Sequence, residues 1–504
     1  MTGAAPRTVG RKVADGAGLM IALRIAERLV GLASFSILAR FLAPSDFGLL
    51  ALATSVIAVV ELFGQAGINL ALIQRRSASR AEYDTAWTID VLVGAVVAGI
   101  VAASAASLAV LLNEPRVERI LYWLAAASVV GGFQNIGIVD FQRSFQFGKE
   151  FRLRLSTRAL KAIATIAFAL AWRDYWALVA GYVAGTLVSL TLSYAMHPYR
   201  PRFTLSAIRQ FGHFSGWMLV RNIATGLSDH LVNLLIGRSI SVAGLAFFSA
   251  AREMAEMATT ELQAPIRRAM FPGFAAVNHD PALLRRSYVD WTAVMVLLTF
   301  PIPIGLALVA PDVVRVLLGE RWLPVVALLQ ILACAGIFRA SVAGSQLMLI
   351  AMGQPRLAAA VAVLRAIVVI PLVVMGTALA DATGAAWAMF AMAALMFGVN
   401  LGVVIGAVRV SRTELFDASW RPAVATLVMA AVVVAMAPLL PGNGSFAGAI
   451  LRLVVEAVVG LGTYVAALGL LWSLAGRPAG AESHALEFVR PLLERAGDRY
   501  FARR

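Results

Sequence analysis

Eight basic residues lie inside long apolar runs: Arg24, Arg28, Lys161, Arg221, Arg252, Arg339, Arg365 and Arg452. A cation at the centre of a lipid-embedded helix costs about 2.5–3.5 kcal/mol on insertion scales, so each needs a compensating environment. Arg24, Arg221 and Lys161 fall near expected cytoplasmic helix ends, where a long side chain can reach the headgroups. Arg28, Arg252, Arg339 and Arg365 lie deeper and require an interior position facing water. Acids are as numerous in the same stretches: Glu27, Glu61, Asp90, Asp229, Glu253, Glu256 and Asp290. Their spacing is helical. Glu253, Glu256, Thr260, Gln263 and Arg267 recur every third or fourth residue, as do Asn222, Gly226, Asp229 and Asn233, and Glu61, Gln65 and Asn69 recur every fourth. Each set therefore shares one helix face. Three polar faces on otherwise apolar helices can line one aqueous cavity. A network of salt bridges without a transport role is the alternative reading.

Other chemistry is not signalled. The chain has no Walker A loop, no HExxH, no GxSxG and no paired carboxylates in a polar loop. His197, His213, His230, His279 and His484 are scattered without metal-ligand spacing, and Cys334 is the only cysteine. Neither a catalytic residue set, a metal site nor a cofactor is expected, so the protein reads as a non-enzyme. The net charge of +15 sits largely in short loops, and no nucleic-acid-binding motif accompanies it.

The elements that position these residues are apolar helices. The chain is 60% hydrophobic and 14% charged over 504 residues, with a mean hydropathy of +0.81. Apolar runs of roughly 20 residues, each long enough to cross about 30 Å of hydrocarbon, follow one another from end to end. They predict fourteen spans, at 18–40, 48–72, 86–112, 119–140, 156–172, 175–197, 214–237, 244–266, 288–310, 324–350, 357–379, 384–407, 420–440 and 447–474. With the N-terminus in the cytoplasm, most loop Lys and Arg fall on the cytoplasmic side, as the positive-inside rule requires. Both termini are then cytoplasmic, and a basic, partly amphipathic tail follows from 475 to 504. The first helix ends "SILARFLAPSDFGLLALA" and the seventh "NLLIGRSISVAGLAFFSAA". Arg40 matches Arg238 and Gly48 matches Gly244. The chain thus reads as two related six-helix lobes, 1–200 and 201–407, with helices 13 and 14 (408–474) appended. Gly398, Gly402 and Gly406 on one helix, and Gly181 and Gly185 on another, predict close helix packing.

Three stretches carry a resemblance: "ILARFLAPSDFGLLALATSVIAVVELFGQAGINLALIQRR", "LVNLLIGRSISVAGLAFFSAAREM" and "APDVVRVLLGERWLPVVALLQILA". With them the chain resembles the polysaccharide-transport (Wzx/WzxC-like) flippases of the multidrug/oligosaccharidyl-lipid/polysaccharide exporter superfamily. It departs at one place, where Asp229 is followed by His230 rather than asparagine. The resemblance implies an inner-membrane protein that moves undecaprenyl-diphosphate-linked oligosaccharide units between leaflets, for exopolysaccharide, capsule or O-antigen assembly. Membrane lipids, a polysaccharide polymerase and other assembly proteins are the implied partners. On this reading Arg24, Arg28, Lys161, Arg221 and Arg365 meet the diphosphate, for which guanidinium groups are well suited. Gln65, Asn69, Asn222, Asn233, Arg252, Arg339 and Gln346 line the polar cavity. Glu61, Asp229, Glu253 and Glu256 are the carriers if a cation is coupled. A cation-coupled drug antiporter and a non-transporting membrane scaffold are the competing readings.

Overall fold

The computed structural model describes residues 6–64, 72, 79–144, 146–208, 216–277, 279–440, 446–478 and 482. Among them the regular structure is entirely helical. Fourteen membrane-length helices follow in chain order. They are α1 (Pro6–Phe41), α2 (Pro44–Gly64), α3 (Arg80–Leu111) and α4 (Arg116–Gly132, continued beyond a bend as Ile136–Arg143). Next come α5 (Phe147–Trp172), α6 (Trp176–Met196), α7 (Gly216–Ser239), α8 (Val242–Val277), α9 (Pro281–Leu317) and α10 (Val325–Ala351). The halves of Pro355–Val408 are α11 and α12, and α13 (Arg412–Leu439) and α14 (Phe446–Leu474) complete the set. The protein is an all-α, multi-pass membrane protein.

Physical chemistry explains the breaks. A continuous helix over the 54 residues of Pro355–Val408 would be about 80 Å long, far more than one bilayer crossing. Ala380 (φ −153°, ψ 36°) and Asp381 (φ 50°, ψ −132°) leave helical geometry there. Close by, a Cβ on Gly384 would sit 1.9 Å from the carbonyl oxygen of Gly376, so only glycine permits this approach. In α4 the chain bends by 65° between Gly132 and Ile136. Helix starts are capped by sequence: Ser79 and Glu82 form a capping box on α3, Ser411 and Glu414 another on α13, and Asp280 caps α9 ahead of Pro281.

Nine helices among the described residues are long and apolar enough to cross a membrane, and the bent α4 makes ten. Pro355–Val408 counts once in that number and supplies two crossings. The helices left over are α1, α7 and α8, which carry Arg24, Arg28, Arg221, Asp229, Arg252, Glu253 and Glu256. The polar residues singled out in the sequence are what lowers their hydropathy.

Several expected boundaries move. α5 begins at Phe147 rather than 156, which brings Arg152 and Arg154 into the helix. α2 is described to Gly64, and Gln65 and Asn69 of the expected second span lie outside the described residues. The tail beyond 478 does too, except Glu482, which pairs with Arg421 on α13 at 2.8 Å. Gly181 and Gly185 do admit close neighbours, Thr165 and Lys161. Gly398, Gly402 and Gly406 do not, because a Cβ at each would meet nothing within 4 Å among the described residues. Small residues permit close approach without enforcing it.

The chain forms two compact units, Met1–Ser249 with Ala362–Ala385, and Ala250–Val361 with Ala386–Arg504. In the first, α2 runs antiparallel along α7. Gly237 faces Leu52, Gly226 faces Leu62, and the Asn233 amide donates to the Ser55 hydroxyl at 3.1 Å. At the start of α8 the Val242 carbonyl packs on Gly48, where any Cβ would lie 1.8 Å away. The second unit is centred on Phe274, Leu284, Tyr288, Trp291, Met295, Met348 and Val404, all buried.

Candidate functional site

The first unit contains all five cations expected to meet a diphosphate. Arg24 and Arg28 are half-buried on α1, Lys161 on α5, Arg221 on α7 and Arg365 on α11. α5 gives this set its backbone. Arg154, Arg158, Lys161 and Thr165 recur at steps of four, three and four and so lie along one face of the helix. That face meets α1 and α6. Arg154 forms a two-point ion pair with Glu27 of α1, at 3.1 and 3.3 Å, and also reaches Glu150 at 3.5 Å. The Arg158 guanidinium lies over Gly31 of α1, where a Cβ would be 2.5 Å from Nη2. The Lys161 stem packs on Gly185 of α6, and its ammonium stands 5.0 Å from the ring centre of Tyr182.

These contacts divide the stripe. Arg154 is neutralised by two carboxylates. Arg158 and Lys161 are close enough to repel one another, and neither forms an ion pair among the described residues. Two adjacent cations in an apolar helix without an acidic partner form a site that favours an anion. Arg158 lies within the expected span 156–172 but was not singled out, because Arg154, which sets the stripe's spacing, fell outside that span. The i, i+4, i+7 spacing of Arg154, Arg158 and Lys161 was the signal that could have found it.

On α7 the Arg221 guanidinium donates to the Asn222 side-chain oxygen at 3.3 Å. Two turns further, Asp229 pairs with Arg365 at 2.7 Å. Asn233 donates its amide to Ser55, and its Oδ1 is buried without a hydrogen-bond partner among the described residues. Glu61 is half-buried on α2.

The second unit brings together another group. The Glu256 carboxylate accepts from Arg252 at 2.9 Å and from Arg339 at 3.0 Å, linking α8 to α10. Glu253, on the same helix, is exposed. The Gln346 amide donates to the buried Asn400 at 2.8 Å. Asn400 went unremarked in the sequence because it sits among glycines and aliphatic residues. A further buried cluster joins Arg452 of α14 to Asp312 of α9 at 3.1 Å and to Glu456 at 2.9 Å. The second unit also holds an apolar groove of about 740 Å³ between α9, α13 and α14, lined by Leu297, Ile302, Leu306, Met429, Leu461 and Val465 among others.

A family model described as polysaccharide biosynthesis protein matches residues 37–327, more than half of the chain. The chain belongs to the polysaccharide biosynthesis protein family. Within that family it is similar to the lipopolysaccharide biosynthesis protein WzxC of Escherichia coli (strain K12), 25% identical over 70% of this chain and 73% of the relative. It is also similar to the succinoglycan biosynthesis transport protein ExoT of Rhizobium meliloti (strain 1021), 26% identical over 57% of this chain and 58% of the relative. The teichuronic acid biosynthesis protein TuaB of Bacillus subtilis (strain 168) is 23% identical over 58% and 61%. The matches thus span less than two thirds of the ExoT and TuaB lengths.

Among solved structures, the lipid II flippase MurJ in an inward closed conformation superposes with a TM-score of 0.72 at 11% identity, covering 91% of this chain and 100% of that one. An inward-facing multidrug resistance MATE transporter of the MOP superfamily gives 0.57 at 13% identity, covering 78% and 99%. At these identities the likeness concerns the fold. The matched family region, 37–327, contains Arg158, Lys161, Arg221, Asp229, Arg252 and Glu256 and stops short of Arg339 and Arg365.

Proposed function

We propose that this protein is a flippase that moves undecaprenyl-diphosphate-linked oligosaccharide units across the inner membrane by alternating access, for assembly of a surface polysaccharide. The single observation that carries the reading is the Arg158–Lys161 pair on α5. Two adjacent cations without acidic partners, set in an apolar multi-pass chain, suit an anionic group that enters the membrane region and leaves it again. A diphosphate offers several oxygens to such a pair, and Arg24 and Arg28 on α1, Arg221 on α7 and Arg365 on α11 belong to the same unit. Family membership and the names of the similar proteins support a lipid-linked glycan as cargo.

The remaining roles follow from side-chain chemistry. Asn222 and Asn233, with Gln65 and Asn69, offer amides to sugar hydroxyls, and Arg252, Arg339 and Gln346 extend the polar lining. Glu61, Asp229, Glu253 and Glu256 are the groups to carry a coupled cation. Helices 1–6 (1–200) and 7–12 (201–407) act as two lobes, with both termini in the cytoplasm and a polysaccharide polymerase as a partner in assembly. The sequence offers no nucleotide loop, so the driving force is an ion gradient or the gradient of the cargo itself.

The test is flipping of a fluorescent polyprenyl-diphosphate sugar in proteoliposomes. Arg158→Gln/Lys161→Gln is expected to reconstitute normally and lose flipping at least tenfold. Flipping at the wild-type rate in that variant removes the diphosphate reading. Gradient-driven export of a cationic drug, with no flipping of the lipid, would favour an antiporter instead.

A further inference from the structure

The first unit has a second site on a different part of α5. A cavity of about 880 Å³ opens between α4, α5 and α6 beside the turn that joins the last two. Its floor is α6, with Val179, Ala180, Val183 and Ala184 presenting small apolar side chains down to Leu187. From Trp176 to Leu187 this floor is roughly 16 Å long at 1.5 Å per residue, about the length of an extended acyl chain segment. The turn end differs in character. Trp172, Asp174 and Trp176 flank the turn, Trp123 of α4 lines the same cavity, and Phe168 stacks on Trp172 with ring centres 5.0 Å apart. Trp123 and Trp172 are 54% and 53% exposed, so their rings are available at the rim rather than committed to the core.

The charges at this end are ordered. Asp174 accepts from the Tyr175 amide at 2.6 Å through one oxygen, and a carboxylate has a second oxygen to offer. Arg173, next in sequence, is exposed in a left-handed conformation (φ 52°), and its guanidinium has no ion-pair partner among the described residues. Two other charged groups lie nearby. Arg116 is held by Glu114 at 2.7 and 2.9 Å, and Asp46, whose carboxylate caps the Ala43 amide at 2.9 Å, adds to the negative side. Adjacent positive and negative groups, with three indoles lining the same cavity, complement a zwitterion whose ammonium follows its phosphate.

We infer that this cavity is a site for a zwitterionic phospholipid with a primary ammonium headgroup, of the phosphatidylethanolamine type. The ammonium sits between the indole faces and Asp174, where cation–π attraction and a charged hydrogen bond act together. The phosphate meets Arg173, and one acyl chain lies along the α6 floor. A sugar is disfavoured because one carboxylate on an apolar lining cannot satisfy several hydroxyls. The lipid here is a bound component rather than cargo, so the inference stands apart from the proposed function.

The experiment is native mass spectrometry of the purified protein, released from micelles containing equal phosphatidylethanolamine and phosphatidylglycerol of identical chains. The wild type is expected to retain the ethanolamine lipid about fivefold over the glycerol lipid. Asp174→Asn, Trp172→Leu and Trp123→Leu should each bring the ratio near one, and both exposed tryptophans can be truncated without opening the core. Equal retention by the wild type overturns the inference and leaves the tryptophans as an interfacial belt. A preference that survives in Asp174→Asn and in Trp123→Leu also overturns it, because the selectivity then resides elsewhere.

Discussion

The guanidinium of Arg365 lies 2.7 Å from the carboxylate of Asp229, joining α11 to α7 within the first unit. An ion pair this short ties together a cation proposed to meet the diphosphate and a carboxylate proposed to carry a coupled cation. On the proposed function, a diphosphate at Arg365 would have to compete with Asp229, and a cation at Asp229 would have to compete with Arg365. Occupancy of one role therefore bears on the other without any further element. The Glu256 carboxylate, shared by Arg252 and Arg339 in the second unit, repeats the theme with the signs in a different ratio.

Removing either partner of the Arg365–Asp229 pair deletes a short, charged hydrogen bond between α7 and α11. The side chains are 30% and 33% exposed, so water offsets part of the cost. Asp229→Asn and Arg365→Gln are each expected to lower stability by about 1–3 kcal/mol, the range for a hydrogen bond to a charged group. The charge-exchanged variant Asp229→Arg/Arg365→Asp should recover most of that loss, measured by unfolding in detergent, and still fail to flip the lipid-linked probe. Full recovery of flipping along with stability would reduce the pair to a strut.

Gly31 and Gly185 touch different parts of the two cations, and that difference separates stability from function. At Gly31 an added Cβ meets only the end of the flexible Arg158 side chain. Gly31→Ala is therefore expected to fold like the wild type and to reduce flipping, because the guanidinium must move. At Gly185 the added Cβ meets the Lys161 stem down to its own Cβ, at 2.6–3.3 Å. Gly185→Ala should cost about 1–3 kcal/mol of stability as an overpacked contact. Thermal unfolding and the flipping assay together distinguish the two. Equal destabilisation in both variants would contradict the geometry.

His197 follows α6 and faces Asp140 at 3.7 Å. Burial holds its affinity for protons below the ordinary histidine value, with Lys149 and Arg200 acting in the same direction and Asp140 opposing. The folded protein thus binds this proton less readily than the unfolded chain, and stability rises with pH. The contribution is fully present above about pH 6.5 and is lost as pH falls through the lower folded value. Unfolding temperatures recorded from pH 7.5 to 5 should fall for the wild type and fall less for His197→Gln. Identical slopes would show that His197 does not report on the fold in this range.

Much of this architecture was legible from sequence, for an identifiable reason. In lipid the backbone must bond internally, so twenty apolar residues in a row permit little but a crossing helix. The charged residues on α1, α7 and α8 stood out because lipid makes them costly. What could not be read was pairing between distant segments. Glu27 neighbours Arg24 and Arg28 on its own helix, yet it pairs with Arg154 on α5. Arg365 and Asp229 gave no sign of each other across 136 residues. Arg154 was hidden by a boundary: hydropathy marks where lipid begins, whereas α5 starts nine residues earlier, in a basic segment that hydropathy scores as loop. Gly398, Gly402 and Gly406 carry a packing motif on a face where a Cβ would meet no neighbour.

The break between α11 and α12 gives the final prediction. Asp381 has φ 50° and ψ −132°, away from the left-handed helical basin that aspartate tolerates, in a region where a side chain costs about 1–3 kcal/mol. Glycine adopts such angles without that cost. Asp381→Gly is therefore expected to raise stability by about 1 kcal/mol, after allowance for the greater freedom of glycine in the unfolded chain. Gly384→Ala should act oppositely and more strongly, because its Cβ would meet the Gly376 carbonyl oxygen at 1.9 Å and the backbone itself must move. Unfolding of both variants in the same detergent provides the comparison. If Asp381→Gly destabilised the protein while Gly384→Ala left it unchanged, α11 and α12 could not be joined by the tight break described.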